Sequence, residues 1–173
     1  MMKKLLLIFV TIVLVSAATF GQRSKTKAIK TPVVKKTTKA FTREKFDPKR
    51  DPNVDLATAI KTASRTGKRI ILDVGGEWCG WCVHMDKFLF QNPSLDKIRN
   101  DSFVWVKINM SEENENVAFL SGYPEIKGYP HLYVLDEAGN FIHSQDTVDL
   151  EKKDTYDLAK FTLFIKTWAL PKK

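Results

Sequence analysis

The stretch "RIILDVGGEWCGWC", residues 69–82, joins an apolar run to both cysteines of the chain. Its first part is rich in branched apolar residues and is followed by two glycines, which predicts a buried strand that ends in a turn. The sequence continues as "CVHMDKFLF", in which apolar residues recur at helical spacing. The pattern therefore predicts a strand, a glycine turn and a helix, with Cys79 where the helix begins.

This position predicts a reactive thiol at Cys79. Unpaired N–H groups and the dipole at a helix N-terminus stabilise a thiolate. Cys82 follows one helical turn later, so its sulfur is expected within bonding reach of the sulfur of Cys79. One thiol can then attack a disulfide and the other can release the product, as thiol–disulfide exchange requires. Such a site needs neither a metal nor an organic cofactor.

Other uses of the two cysteines fit the sequence less well. A structural metal site usually takes four Cys or His ligands, and the chain has two cysteines and three histidines. Haem attachment requires histidine directly after the second cysteine, where this chain has Val83. A purely structural disulfide across so short a loop constrains the unfolded chain little. Two inert core thiols are disfavoured by their place after a glycine turn.

The rest of the sequence predicts alternating helices and strands. Helices are expected in "VDLATAIKTASRTGK", capped by Asp55 or Asn53, in "SLDKIRND", in "EENENVAFLSGY" and in "DTYDLAKFTLFIKTWAL". Strands are expected over residues 103–109, in "GYPHLYVLD" and in "FIHSQDTV", the last two forming an antiparallel hairpin around "EAGN". This order predicts an α/β fold with a mixed sheet of about four to five strands and helices on both faces.

The basic residues are concentrated before the predicted domain. Residues 22–50 contain eleven Lys or Arg and two acids, whereas residues 51–173 contain fifteen basic and eighteen acidic residues. A folded part that is mildly acidic argues against a nucleic-acid partner. We therefore expect three parts: residues 1–21, a basic disordered linker over residues 22–50, and one domain over residues 51–173.

The first 21 residues have the pattern of a secretory signal peptide. Two lysines precede an apolar run, which is too short to span a membrane comfortably, and small residues follow it. We expect export to the periplasm or cell surface of a bacterium, with a membrane tether if this leader is not cleaved. The basic linker could rest on an anionic membrane or polymer. The domain is expected to be a monomer.

Three segments in order, "ILDVGGEWCGWC", "VKIN" and "GYPHLYVLD", resemble the thioredoxin superfamily. The resemblance extends from residue 55 to about residue 170, and implies a thioredoxin-like fold. The residues after Cys82 are similar to the thioredoxin-like domains of exported bacterial proteins. One of these is the C-terminal domain of an inner-membrane protein that passes electrons to the periplasm.

The resemblance implies a role for several residues around the dithiol. Cys79 matches the attacking nucleophile and Cys82 the resolving thiol. Asp73 matches a buried acid that handles the proton of the resolving thiol, and Lys107 matches a lysine whose ammonium lies near that acid. Trp78 matches the aromatic residue directly before the site.

A second group of residues is expected to meet the substrate. Pro130 matches a cis-proline that faces the dithiol, and Tyr129 supplies backbone that pairs with a substrate strand. His131 stands where thioredoxins usually carry a small hydroxyl residue, so it is expected to face substrate or tune Cys79. Gly80 and Trp81 replace the Gly-Pro of thioredoxin itself. Trp81 adds apolar contact and no charge, which favours a reductase or a relay of electrons.

For three of these residues an ordinary structural role remains an alternative to a role in the active site. Asp73 could be an acid exposed at a strand end, and Lys107 a solvent-facing residue of an edge strand. Pro130 could form an ordinary trans bond in a turn. An acid inside an apolar run is nevertheless costly to bury unless it is paired, which favours a specific role for Asp73.

The sequence therefore predicts an exported thiol–disulfide oxidoreductase that reduces protein disulfides or relays electrons to them. A redox partner must regenerate its dithiol. Two other hypotheses stay open: a thioredoxin-like module that binds peptides without turnover, and an isomerase or oxidase that uses the same site.

Overall fold

The computed structural model describes residues 40–171. The predicted signal peptide, residues 1–21, and residues 22–39 of the predicted linker lie outside the described residues. Among the helices described, none combines the length and the apolar character needed to cross a membrane.

The centre of the fold is a four-stranded mixed sheet with the order β2-β1-β3-β4. Its strands are β1 (Arg69–Gly75), β2 (Phe103–Asn109), β3 (His131–Leu135) and β4 (Phe141–Asp146). β1 runs parallel to β2 and antiparallel to β3, and β3 forms an antiparallel hairpin with β4. The predicted α/β fold with a mixed sheet is confirmed.

Helices cover both faces of this sheet. They are α1 (Pro52–Thr66), α2 (Gly80–Gln91), α3 (Pro93–Ser102), α4 (Val117–Leu120) and α5 (Leu158–Trp168). Alternate residues of β1 point to opposite faces, so Ile70 and Leu72 pack with α1, whereas Ile71 packs with α2, α3 and α5. Both clusters are buried, which is why β1 is apolar along its whole length apart from Arg69 and Asp73.

The beginning of α1 differs from the prediction. Its N-cap is Asp51, whose carboxylate accepts the N–H of Asn53 at 2.8 Å, and not Asp55 or Asn53. Pro52 follows in the first helical turn, where a missing N–H costs nothing. An aspartate directly before a proline is thus the true start signal.

The segment predicted as a helix over residues 112–123 is helical only over Val117–Leu120. Its acidic first half forms turns instead. Ser111 and Asn114 bond each other's backbone, and Asn116 takes a left-handed conformation with φ 50°. Short polar side chains offer the backbone such local bonds in competition with a helix.

A small hairpin between β4 and α5 was not predicted. After a 3-10 turn at Thr147–Leu150, β5 (Glu151–Lys152) pairs with β6 (Thr155–Tyr156). α5 therefore begins at Leu158, after the N-cap Asp157, and not near residue 154. Two-residue strands are too short to produce a visible alternation, so the sequence pattern gives no sign of them.

The end of the predicted linker is packed on the domain. Phe46 is only 3% exposed, and Phe41 meets the ring of Phe90 edge-on at 5.2 Å. The disordered linker predicted to reach residue 50 is wrong for this part of the chain. We call residues 43–46 the N-terminal strap.

Candidate active site

The two cysteines form a disulfide at the beginning of α2. Cys79 is the N-cap, and its sulfur accepts the backbone N–H of Cys82 at 3.1 Å. Cys79 retains a small exposed fraction of 5%, whereas Cys82 is fully buried. The helix start therefore stabilises charge on the sulfur that is also nearer to solvent.

Gly75, the last residue of β1, is required for the position of Cys82. A Cβ at residue 75 would lie 2.5 Å from the sulfur of Cys82 and 3.1 Å from the ring of Phe46. Asp73 and Gly75 share one face of β1, because side chains alternate along a strand. The sulfur of Cys82 therefore lies on the same face of β1 as the side chain of Asp73, two residues along the strand.

Asp73 is fully buried and paired. Its Oδ2 accepts from Lys107 Nζ at 2.9 Å and from Trp105 Nε1 at 3.0 Å. Lys107 lies directly opposite Asp73 in the β1–β2 ladder and is itself buried. The alternative structural roles of these two residues are thus excluded. Asp73 is not an exposed acid at a strand end, and Lys107 does not face solvent although β2 is an edge strand. Asp73 Oδ1 has no hydrogen-bond partner among the described residues.

A second carboxylate, Asp86, was not predicted. Its Oδ1 lies 2.9 Å from Lys107 Nζ, so one ammonium serves two acids. Burial raises the pKa of Asp86, and Lys107 opposes this shift. Although burial lowers the pKa of Lys107, Asp73 and Asp86 together raise it above its usual value. Asp86 follows Cys82 by four residues on α2, and this spacing could have identified it.

The N-terminal strap adds two further side chains that the sequence did not indicate. Arg43 bonds both carboxylate oxygens of Glu77 and lies 3.2 Å from Asp86 Oδ2. Although burial opposes it, the bond from Arg43 helps to lower the pKa of Glu77. The ring of Phe46 lies 4.1 Å from Lys107 Nζ and belongs to the same apolar cluster as both cysteines.

The surface beside the disulfide is aromatic. Trp78 is 59% exposed, donates its indole N–H to Met110 O at 2.7 Å and meets Tyr129 edge-on at 5.6 Å. The Tyr129–Pro130 bond is cis, as predicted. Thr147 donates its hydroxyl to Pro130 O at 2.7 Å, which fixes the loop before β3.

Trp81, between the cysteines, points to the β5–β6 hairpin. It is partly buried and meets Tyr156 edge-on at 5.4 Å and His84 at 5.3 Å. His84 also lies 3.1 Å from the hydroxyl of Thr155, so its ring contacts both Trp81 and the β5–β6 hairpin. Gly80 has open space where a side chain would project.

His131 lies away from this arrangement. It pairs with Val74, so its side chain is on the sheet face opposite that of Asp73. The residue is 3% exposed, and its Nε2 lies 2.8 Å from Ser144 Oγ. Burial lowers the pKa of His131, and Asp146 opposes this shift. Its side chain is therefore a poor candidate for the expected contact with substrate, and the backbone at Tyr129 and Pro130 remains the better one.

Within residues 40–171, no three His, Cys, Asp or Glu side chains gather as metal ligands would. The described site brings together two sulfurs, two acids around one lysine, and an apolar surface.

The sequence of this chain matches the Thioredoxin-like family over residues 51–137, which is half of its length. Together with the mixed sheet and the disulfide at the start of α2, this match shows that the chain belongs to the Thioredoxin-like family. The family and the Cys79–Cys82 disulfide together support thiol–disulfide oxidoreductase chemistry in general terms.

Curated relatives include proteins called "Thiol:disulfide interchange protein DsbD". The chain is 28% identical to that of Colwellia psychrerythraea over 114 residues, which cover 65% of this chain and 18% of the relative. It is 26% identical to that of Salmonella typhi over 77 residues, which cover 44% of this chain and 13% of the relative. The chain thus spans less than a fifth of the length of these relatives.

Two solved structures share the fold. A disulphide isomerase from Xylella fastidiosa Temecula1 has a TM-score of 0.61 and 22% identity, covering 70% of this chain and 94% of its own. The oxidised C-terminal domain of DsbD from Neisseria meningitidis has a TM-score of 0.53 and 18% identity, covering 72% and 99%.

Proposed function

We propose that this protein is an exported thiol–disulfide oxidoreductase that reduces protein disulfides or relays electrons to them. The observation that carries the proposal is the Cys79–Cys82 disulfide at the start of α2, next to the buried pair Asp73 and Lys107. The N-terminal charge and apolar pattern supports export. The names of the DsbD relatives support exchange chemistry.

In the reducing direction, the Cys79 thiolate attacks a substrate disulfide. A mixed disulfide forms with Cys79, and one substrate sulfur leaves as a thiolate. Cys82 then loses its proton and attacks the sulfur of Cys79, which releases the second substrate thiolate and restores the Cys79–Cys82 disulfide. Two electrons pass from the dithiol to the substrate. Asp73 has an oxygen without a hydrogen-bond partner in the described part of the chain, and is our candidate acceptor for the Cys82 proton.

The substrate is proposed to be an extended segment of another protein. Trp78 supplies an exposed aromatic surface beside the disulfide, the ring of Tyr129 packs on it, and the backbone at Tyr129 and Pro130 is the proposed partner for the substrate strand. A redox partner must then reduce Cys79–Cys82 again. We further propose that the chain acts as a monomer, needs no metal or organic cofactor and binds no nucleic acid. We also keep the proposal that its basic segment contacts an anionic membrane or polymer.

Single cysteine variants test the mechanism. Cys79→Ser should abolish the reduction of an insulin-type disulfide, because no nucleophile remains to start the exchange. Cys82→Ser should accumulate mixed disulfides at Cys79, because nothing resolves them. The measurements are turbidity of reduced insulin and mass spectrometry of the trapped adducts. Reduction by both variants at the parental rate would show that the dithiol does not carry the activity.

The exposed aromatic surface also favours a second candidate, a peptide-binding module without turnover. A Cys79→Ala/Cys82→Ala variant would then keep the affinity of the parent for extended peptides while the parent shows no exchange. The midpoint potential of the pair in glutathione buffers separates the reductase from an oxidase. A midpoint potential of about −270 mV indicates a reductase, and one of about −120 mV indicates an oxidase.

A further inference from the structure

The N-terminal strap precedes residues 51–137, the part of the chain that matches the family. Two of its four side chains nevertheless reach the interior of the site. Phe46 contacts the cluster of the two cysteines, and Arg43 joins the ion pairs of Asp86 and Glu77. The strap is therefore packed on the site, although it lies outside the matched family region.

Phe46 packs in the same buried cluster as the two cysteines. The centroid of its ring lies 4.1 Å from Lys107 Nζ, and a Cβ at residue 75 would meet both this ring, at 3.1 Å, and the sulfur of Cys82, at 2.5 Å. An ammonium over an aromatic face is attracted by the ring quadrupole while the ring itself excludes water. The residue is 3% exposed, so its ring belongs to the buried interior beside the cysteines and not to the surface.

Arg43 supplies a second positive charge to a cluster that is rich in carboxylates. Asp73 and Asp86 carry two negative charges around the single positive charge of Lys107. Arg43 adds a second positive charge on the outer side of Asp86 and holds Glu77 at the same time. Glu77 also accepts the backbone N–H of Phe46 at 3.0 Å, so the strap is fastened to the turn that leads into Cys79.

A cleft of about 350 Å³ opens on the outer side of this cluster. Arg43, Asp86 and Lys107 line it, together with residues of α2, α3 and the strap. Arg43, Asp86 and Lys107 thus share the wall of this cleft, and Asp73 lies behind Lys107. Removing its side chain would leave a net negative cluster beside Cys82.

We propose that Arg43 and Phe46 are positioning residues for the resolving thiol Cys82. Arg43 offsets the negative charge that opposes formation of the Cys82 thiolate, and Phe46 keeps the surroundings of that sulfur apolar and Lys107 fixed beside it. The inference rests on the proposed exchange reaction, in which Cys82 must lose a proton to complete the cycle.

Several other titratable groups surround this site and stay in place in the test. From the elements packed around the dithiol they are Asp73 of β1, Lys107 of β2, His84 and Asp86 of α2, Glu77 of the turn, Tyr129 of the loop before β3 and Tyr156 of β6.

The test follows both steps of exchange in the full chain. Reduced protein is mixed with dithiobis(nitrobenzoate), an aryl disulfide, and released thionitrobenzoate is followed by stopped-flow absorbance. In the first phase the Cys79 thiolate forms a mixed disulfide and releases one thionitrobenzoate. In the second phase the Cys82 thiolate attacks the sulfur of Cys79, forms the Cys79–Cys82 disulfide and releases the other. The pH midpoint of the second phase reports the ionisation of Cys82.

For Arg43→Ala, we expect this midpoint to rise by about one pH unit, because a nearby positive charge is lost. At neutral pH the second phase should slow several-fold relative to the first, and the mixed disulfide should accumulate in mass spectra. Arg43→Lys keeps the charge and should restore most of the parental midpoint. The matched control is Arg50→Ala, since Arg50 pairs with Asp55 at 2.7 Å on the surface and should leave both phases unchanged.

For Phe46→Ala, the pH midpoint of the second phase should fall, because water admitted beside Cys82 solvates its thiolate. Phe41→Ala is the control, since Phe41 is 40% exposed and packs on Phe90. Circular dichroism and thermal unfolding verify the fold of each variant. If Phe46→Ala does not fold, Phe46→Leu replaces it and should keep the parental midpoint, because it keeps an apolar side chain beside Cys82. The Arg43 variants then test the proposal.

A parental midpoint in Arg43→Ala, or an equal shift in Arg50→Ala, would overturn the role of Arg43. A shift of the same sign in the variants of Arg43 and Phe46 would show a general loosening and overturn the two separate roles. If the parent itself releases no second thionitrobenzoate, the exchange mechanism fails, whatever the strap variants do.

Discussion

The sulfur of Cys82 occupies the space that a side chain at residue 75 would need. Gly75 therefore serves a different purpose from a turn glycine, since it lets the end of β1 approach α2 closely enough to bury the resolving sulfur beside Asp73. Gly80, between the cysteines, has no such constraint, because nothing lies within 4 Å of its missing Cβ. Gly75 and Gly80 thus differ: a side chain would clash at residue 75 and would have free space at residue 80.

This difference gives a matched pair of substitutions. Gly75→Ala should destabilise the oxidised protein by about 1–3 kcal/mol, because the new methyl group overlaps the sulfur of Cys82. Gly80→Ala should be neutral or stabilising by up to about 1 kcal/mol, because alanine favours the first turn of α2. Urea denaturation of both variants measures the free energies of unfolding. Equal effects at the two positions would contradict the close approach.

At the scale of elements, the β5–β6 hairpin supports the motif from outside the sheet. Tyr156 of β6 is 2% exposed and packs against Trp81, Phe88 and Phe161. Its hydroxyl reaches Trp81 O only at 3.4 Å, so packing and not this hydrogen bond dominates the contact. A hairpin of four paired residues thereby holds the aromatic residue that lies between the two cysteines.

Two substitutions of Tyr156 separate packing from hydrogen bonding. Tyr156→Ala should lower the free energy of unfolding by about 3–5 kcal/mol, because a large buried ring is lost. It should also slow exchange, since Trp81 loses its packing partner. Tyr156→Phe should cost about 1 kcal/mol, because the ring stays and only the hydrogen bonds of the hydroxyl, to Trp81 O and Thr147, are lost. Chemical denaturation and insulin reduction measure both effects, and similar losses in the two variants would refute the packing role.

For the whole molecule, the two faces of the sheet bury different kinds of titratable side chains. The face of α2 holds the paired cluster of Asp73, Lys107 and Asp86, whereas the face of α1 holds His131 with a lowered pKa. Its Nδ1 is buried and has no hydrogen-bond partner in residues 40–171. The neutral ring is therefore the form that the fold accommodates.

The stability of the fold should consequently depend on pH through His131. Because burial lowers its pKa below the usual 6.5, the unfolded chain binds more protons than the fold as the pH falls below that value. The contribution of His131 is thus complete above about pH 6.5 and is lost as the pH falls through the lowered pKa. His131→Gln cannot titrate, so thermal unfolding between pH 7.5 and pH 5, a range set about the usual histidine pKa, should show a flatter decline than the parent. A parallel decline in both proteins would refute this assignment.

Sequence patterns predicted the sheet well and the site in part. β1 and β2 were predicted because seven-residue apolar runs bounded by polar or glycine residues have few alternatives. Asp73 was identifiable because an acid inside such a run must be paired. Asp86 was not identified, although its spacing of four residues from Cys82 on α2 could have indicated it. Arg43 was not identified, since a charged residue in a basic segment is usually solvated, and only contacts distant in sequence show otherwise.

By itself, the sequence determined the local events: a strand ending in glycines, a cysteine at a helix start, and a proline before β3. Each depends on neighbours within a few residues, so spacing and residue type suffice. Only the tertiary structure decided which charges meet inside the fold. Arg43, Asp73, Asp86 and Lys107 come from four separate segments, and whether such side chains are buried together or solvated depends on how those segments pack.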